Sequence, residues 1–190
     1  MKSNSQSLQD IFALSVCTKK TYIEIGANRP RKWNNTLLLE QNGFKGFSIE
    51  YSKKWKTHWE TSDRTNKIYW DNALTFDYRL AVEENNMSAS IGYLSCDIEP
   101  PQKTFDALVR VINSGIDFEC ITFEDDRYQS TGNYHILAEK FLAKNGYKVA
   151  VKDVTLKDTD QIFETWFVKN TVDFETVDFN TWRQNVTSKK

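Results

Sequence analysis

The feature that most constrains this chain is a short apolar run that stops at a glycine, Tyr22-Ile23-Glu24-Ile25-Gly26-Ala27-Asn28. Four of residues 21–25 are β-branched or aromatic, the side chains that suit a pleated strand. Gly26 then permits a backbone geometry, or a close approach, that a Cβ would block. Residues 33–43 carry a helical pattern of apolar positions. Strand, glycine turn and helix, in that order, begin a nucleotide site at the carboxyl edge of an open α/β sheet. Glu50 follows the next apolar strand, residues 46–49, and a carboxylate there can hold a ribose diol.

The rest of the chain alternates helix and strand in the same manner. Ser7 caps a first helix whose Leu8, Ile11, Phe12 and Val16 form one stripe that would lie on the sheet. The helix after the glycine turn buries Leu37, Leu38 and Trp33, with Gly43 as its left-handed cap. Ser52 caps a helix with Trp55 and Trp59 one turn apart, a spacing that reads as core packing. A third strand, residues 67–70, ends in the turn Asp71-Asn72-Ala73, and a helix follows over 76–84. After a polar loop and a fourth strand at 91–96, Pro100 and Pro101 stop the strand and lead into another helix. Its expected face is Phe105, Leu108, Val109 and Ile112. Residues 118–123 suit a strand buried on both faces. Thr131 caps a helix with the stripe Leu137, Ala138, Phe141 and Leu142, ended by Gly146. Residues 147–154 and 161–168 read as an antiparallel hairpin, and Phe174, Val177, Phe179 and Trp182 anchor the C-terminal segment.

At 190 residues the chain has room for one well-packed domain and not for two ordinary ones. With no internal repeat and no linker rich in Gly, Pro or Ser, three parts are expected. They are a helical extension over 1–20, one α/β domain over 21–169, and an extension over 170–190 that packs on it. The formal net charge of −1 offers no global basic field for nucleic acid or anionic membrane. The run Lys53-Lys54-Trp55-Lys56 reads as a solvated helix face. No apolar run reaches the roughly 18–20 residues that span a bilayer, and the polar N-terminus lacks the core of a signal peptide. Three cysteines without C-x-x-C spacing point to free thiols in a reducing cytoplasm.

Four segments carry a family likeness: E-I-G-A-N at 24–28, N-T-L-L-L-E at 35–40, G-F-K-G-F-S-I-E at 43–50 and Y-L-S-C-D-I-E at 93–99. Over roughly residues 20–169 the chain resembles the class I S-adenosylmethionine-dependent methyltransferases, and most closely their FkbM-like branch. The resemblance implies a three-layer, Rossmann-like α/β fold with a seven-stranded, mostly parallel sheet whose last strand is antiparallel. It implies S-adenosylmethionine as cofactor, wrapped by Glu24, Gly26, Ala27 and Asn28, with Glu50 on the ribose and Asp71 and Asn72 beside the adenine. It implies methyl transfer to an oxygen of a sugar or other small polar acceptor. The expected partner is a small molecule or glycan, not a nucleic acid or a membrane. Three departures stand out. Glu24 replaces the branch's Asp, Arg29-Pro30 interrupt the approach to a second glycine, and Pro100-Pro101 replace the Gly-Ala expected after Glu99.

Methyl transfer from a sulfonium is an in-line displacement, so the protein's main task is alignment. A hydroxyl acceptor must also lose a proton, which a carboxylate at the end of strand four can take. Asp97 is the first candidate and Glu99 the second; a hydrogen-bonded turn acid is the alternative role for Asp97. Glu124, Asp125 and Asp126 end the neighbouring strand and could converge there, although helix-leading acids are the commoner role of such a run. No stretch has metal-loop spacing, and His58 and His135 lack H-x-x-H or H-x-x-x-H spacing, so no metal is expected. Two rivals remain. One is a binding protein that shares the fold without catalysis, suggested by Arg29-Pro30. The other is a nucleic-acid methyltransferase, suggested by Glu99-Pro100-Pro101-Gln102, which lacks the aromatic residue of the amino-directed motif.

Overall fold

The computed structural model describes residues 2–129, 132–156 and 159–188. Its strands are β1 (Thr21–Ile25), β2 (Lys45–Ile49), β3 (Lys67–Tyr69), β4 (Ser90–Cys96), β5 (Asp117–Glu124), β6 (Tyr147–Thr155), β7 (Ile162–Lys169) and β8 (Val177–Asp178). They form one eight-stranded sheet in the order β3-β2-β1-β4-β5-β7-β6-β8. β7 runs antiparallel to both of its neighbours, β5 and β6, and every other pairing is parallel. The expected seven strands are all present. The eighth is a two-residue edge pairing, Val151 with Val177 and Lys152 with Asp178. It exists because Thr176 Oγ1 donates to the Val149 carbonyl (2.7 Å), drawing the segment alongside β6, too short a stretch for any period-2 pattern.

The helices are α1 (Gln9–Val16), α2 (Leu37–Gln41), α3 (Lys56–Glu60), α4 (Tyr78–Glu84), α5 (Pro101–Asn113), α6 (Tyr134–Lys144) and α7 (Phe179–Thr187). They cover the sheet on two faces, giving three layers. α4, α5 and α6 bury Ala81, Leu108, Val111, Ala138 and Leu142 against Ile23, Leu94, Ile121 and Phe123. On the opposite face α1 and α7 bury Phe12, Phe179 and Trp182 against Tyr22, Tyr93 and Trp166. Trp166, fully buried, is the hub of that face, with ring centroids 4.8 Å from Phe12 and 5.0 Å from Trp182. Such aromatic pairs contribute about 0.5–1.5 kcal/mol each beyond their buried area. The three cysteines are free thiols, with the sulfurs of Cys17 and Cys120 3.3 Å apart. Among the described residues no helix is long and apolar enough to cross a membrane.

Several local expectations change. Ser7 does not cap α1: its hydroxyl donates to the Thr155 carbonyl (2.7 Å), and Leu8 occupies the cap position in left-handed backbone. α2 spans only five residues, because Asn34 Oδ1 takes the N–H groups of Thr36 (3.1 Å) and Leu37 (2.8 Å) and starts the helix late. Trp33 therefore lies outside the helix and is exposed rather than buried. The buried stripe of α5 is Thr104, Ala107, Leu108, Val111 and Ile112; Phe105 and Val109 sit half out, and Phe105 packs on Phe141 of α6 (6.2 Å). Leu137 is exposed, and Thr131 lies outside the described residues.

Candidate functional site

The chain leaves β1 toward β2 on one side, and β4 lies on the other, so the carboxyl ends of β1 and β4 open a crevice at a topological switch point. Gly26 turns the chain there with φ +87°, and Asn28 follows in left-handed backbone at φ +47°. The turn is tied to β2, since the N–H groups of Gly26 (2.9 Å) and Ala27 (3.2 Å) both donate to the Ile49 carbonyl. It is also pressed against β4: a Cβ on Gly26 would fall on the Asp97 carbonyl. Here a glycine is required twice over, for its φ and for its missing side chain.

A cavity of 540 Å³ occupies the crevice. Glu24, Gly26, Asn28, Glu50, Asp97 and Glu99 all line it. A neighbouring cavity of 210 Å³ is lined by Asp71, Asn72 and Ala73 and shares Tyr51, Ile98 and Glu99 with the first. Ala27 is buried behind the turn. Glu50 braces the turn: its Oε2 accepts the Asn28 N–H (2.8 Å) and its Oε1 the Ser52 N–H (2.7 Å). Glu24 is buried and accepts from Ser48 Oγ (2.6 Å), Thr36 Oγ1 (3.0 Å) and Asn34 Nδ2 (3.1 Å). Burial pushes its pKa up, while Arg64 and these donors oppose the rise.

Arg64, which no sequence signal marked, organises the loop from the other side. Its guanidinium is almost wholly buried and donates to Glu40 (2.6 Å), Asn34 Oδ1 (2.8 Å), Thr36 Oγ1 (2.8 Å), the Pro30 carbonyl (3.1 Å) and Tyr22 Oη (3.2 Å). Its partners lie 24 to 42 positions away, beyond the reach of any local pattern. Asn35 was also missed as a site residue. The residue lines the crevice; its Nδ2 donates to Ser95 Oγ (3.0 Å), and its buried Oδ1 has no partner among the described residues. A buried orphan acceptor calls for an explanation, and a ligand N–H supplies one.

The acids at the strand ends divide into two kinds. Asp97 is half-buried, and burial together with Glu164, Asp126, Glu99 and Glu24 holds its pKa well above the usual carboxylate range. Asp126 is pushed up to about 7 by burial and by the nearby Glu99. Asp125, by contrast, turns inward to Arg127 Nε (2.8 Å) and Thr165 Oγ1 (2.8 Å), so it serves the fold. Glu124 ends β5 opposite Glu164 and does not line the crevice. His58 packs its ring on Trp55 (5.1 Å), and the buried Nδ1 of His135 has no partner among the described residues. Among the described residues no group of three or more His, Cys, Asp or Glu is arranged to hold a metal ion.

Glu164 yields a pH prediction. It accepts from Gln9 Nε2 (3.0 Å) and Trp166 Nε1 (2.5 Å), yet burial outweighs both and lifts it from 4.5 to about 7. The folded state then binds more protons than the unfolded state between those two values. Its contribution to stability is therefore greatest below pH 4.5, falls as pH rises to about 7, and levels above it. Thermal melts of Glu164→Gln across this window should show a shallower decline than the parent. An unchanged slope would assign the decline to Asp126 and the other acids.

The glycine turn at the switch point, the acid closing β2 and the reversed β7 define the class of architecture: the Rossmann-like fold of class I methyltransferases. No known family profile matches the sequence, and no curated protein matches it. Solved structures do. Magnesium protoporphyrin IX methyltransferase (ChlM) from Synechocystis, with bound SAM, superposes with TM-score 0.54 at 10% identity over 84% of this chain and 76% of that one. M. capricolum TrmK, in complex with S-adenosyl-homocysteine, gives 0.55 at 12% identity over 95% and 83%. A protein of the NADB-Rossmann superfamily from Streptococcus agalactiae gives 0.55 at 15% identity over 100% and 80%. At these identities the likeness is one of fold, and it holds nothing specific to the FkbM-like branch.

Proposed function

We propose that this chain is an S-adenosylmethionine-dependent methyltransferase that delivers its methyl group to a hydroxyl oxygen of a sugar or other small polar acceptor. The observation that carries this reading is the crevice itself, where a glycine turn meets the Asp97 carbonyl with the Glu50 carboxylate on the β2 side. ChlM and TrmK hold SAM and its demethylated product respectively, which supports the same cofactor here. The residues fit that group. Gly26 lets the turn close against the Asp97 carbonyl at the floor of the crevice, and Asn35 carries a buried Oδ1 that has no partner among the described residues. Each oxygen of Glu50 accepts one backbone N–H and keeps capacity for a ribose hydroxyl. Asp71 and Asn72 line the adjoining cavity, where adenine would sit.

When bound, the cofactor supplies an electrophilic methyl group on a sulfonium. The chain's contribution is alignment, worth several kcal/mol of barrier. It also provides a proton acceptor: the Asp97 carboxylate would take the proton that the acceptor hydroxyl gives up on methylation. Its raised pKa makes that carboxylate a stronger base once ionised. Isothermal titration with S-adenosylmethionine tests the cofactor assignment. Glu50→Ala should bind about tenfold more weakly, about 1.4 kcal/mol. Absence of both binding heat and thermal stabilisation in the parent protein would leave the fold-sharing, non-catalytic reading in its place.

A further inference from the structure

Around the mouth of the crevice the fold gathers cations that the chain keeps apart. Arg29, Arg31 and Lys32 come from the loop after β1; Lys53, Lys54 and Lys56 come from the segment after β2. Aromatic rings join the two groups. The Arg29 guanidinium carbon lies 4.5 Å from the centroid of Trp55 and 5.6 Å from that of Trp33. Lys54 Nζ stands 5.1 Å from Trp55, and Lys32 Nζ 4.3 Å from Trp33. Arg31 pairs with Asp63 (3.0 Å) and Lys56 with Glu60 (3.8 Å). Among the described residues no acidic side chain pairs with Arg29, Lys32, Lys53 or Lys54.

Trp33 is the least expected member. It is 54% exposed, and its φ of +56° is a left-handed backbone that a bulky residue adopts only at a cost of about 1–3 kcal/mol. Burial does not offset that cost, because the indole stands largely in solvent. Tyr51, 77% exposed, lies on the same rim. Arg29, Trp33, Tyr51, Lys54 and Trp55 wall the outer part of the cavity whose inner part holds Gly26 and Asp97. The rim is thus basic and aromatic on the β1 and β2 side, with the exposed Glu99 on the β4 side, and Glu24 and Asp97 lie deeper. Bases stack on exposed aromatic faces while phosphates meet nearby cations, and a single strand offers both groups at once.

We propose that this rim binds single-stranded RNA, with a ribose hydroxyl of the bound strand presented to Asp97. The inference makes the sugar acceptor of the methyl-transfer reading a ribose within a polymer, in place of a free small molecule, and rests on that reading for what the strand is for. The binding itself is measured without cofactor. The probe is an end-labelled, mixed-sequence, single-stranded RNA, followed by fluorescence anisotropy over a salt series, with thermal melts confirming that each variant folds. The parent should bind, with affinity falling linearly on a log–log salt plot. The double variant Arg29→Ala/Lys54→Ala should reduce that slope by about 1.4, about 0.7 for each single-strand phosphate no longer neutralised. Trp33→Ala should weaken binding about tenfold with the slope unchanged, and Trp33→Tyr should restore most of it. Three results would overturn the proposal: no binding at low salt, no effect of Trp33→Ala, or equal affinity for heparin or duplex RNA. Loss of RNA binding beside intact titration with S-adenosylmethionine removes this inference alone. The converse result removes only the methyl-transfer reading.

Discussion

Replacing Arg64 with alanine is expected to cost this fold about 3–5 kcal/mol, because it breaks a buried ion pair from one side only. The guanidinium side chain is 1% exposed and its partner Glu40 9%. The same guanidinium opposes the desolvation of Glu24 and Tyr22, the latter pushed up to about 12 by burial. Its removal would leave Glu40 with the Thr65 and Asn66 N–H groups but without its cation, and would free the loop that Asn34 and the Pro30 carbonyl anchor. Urea unfolding should show a lower midpoint with little change in slope. Arg64→Met/Glu40→Gln should recover part of the loss, since it removes the stranded charge as well as the cation. A parent-like midpoint for Arg64→Ala would mean that the loop is held by Glu24 and Asn34 alone.

Gly26→Ala is expected to weaken S-adenosylmethionine binding by roughly 100-fold or more. It should also lower stability by about 1–3 kcal/mol. Two effects combine: the added Cβ meets the Asp97 carbonyl, and the backbone stays at φ +87°. Gly43→Ala separates them. Gly43 has nearly the same φ, +82°, but among the described residues no heavy atom beyond its chain neighbours lies within 4 Å of its would-be Cβ. It should show the strain of about 1 kcal/mol and leave titration with S-adenosylmethionine unchanged. Parent-like binding by Gly26→Ala would overturn the crevice as the cofactor site, because β1 and β4 could not then be as close as the geometry has them.

Much of the architecture was readable from local chemistry. β1 and its glycine turn followed from β-branched and aromatic residues halted at Gly26, and α5 from two prolines that stop β4 and start a helix. The hairpin of β6 and β7 followed from two long apolar runs and a polar turn, and it is antiparallel as expected. Errors fell where a distant contact outweighed local preference. Trp33 matched the spacing of α2, but Asn34 caps that helix late and leaves the indole in solvent. The stripe of α5 was displaced because small Ala107 and Thr104, not Phe105, lie against the sheet.

The candidate site divides in the same way. Gly26, Glu50 and Asp97 were named from strand ends, since parallel β-strands deliver their carboxyl termini to one edge of the sheet, whereas Glu24, Asn28 and Glu99 came from the family resemblance; all six line the crevice. Asp71 and Asn72, also named from the resemblance, line the second cavity. Arg64, Asn35 and Glu164 could not be named, because their meaning lies in partners many positions away and in burial that no local pattern encodes. The basic rim was hidden too. A net charge of −1 averages over the whole chain, whereas electrostatic recognition depends on where the charges stand. The order of strands and turns was set by local propensity and the alternation of apolar residues, which act over a few positions. Which charges were buried, paired or left to face a ligand was decided by packing between segments tens of residues apart.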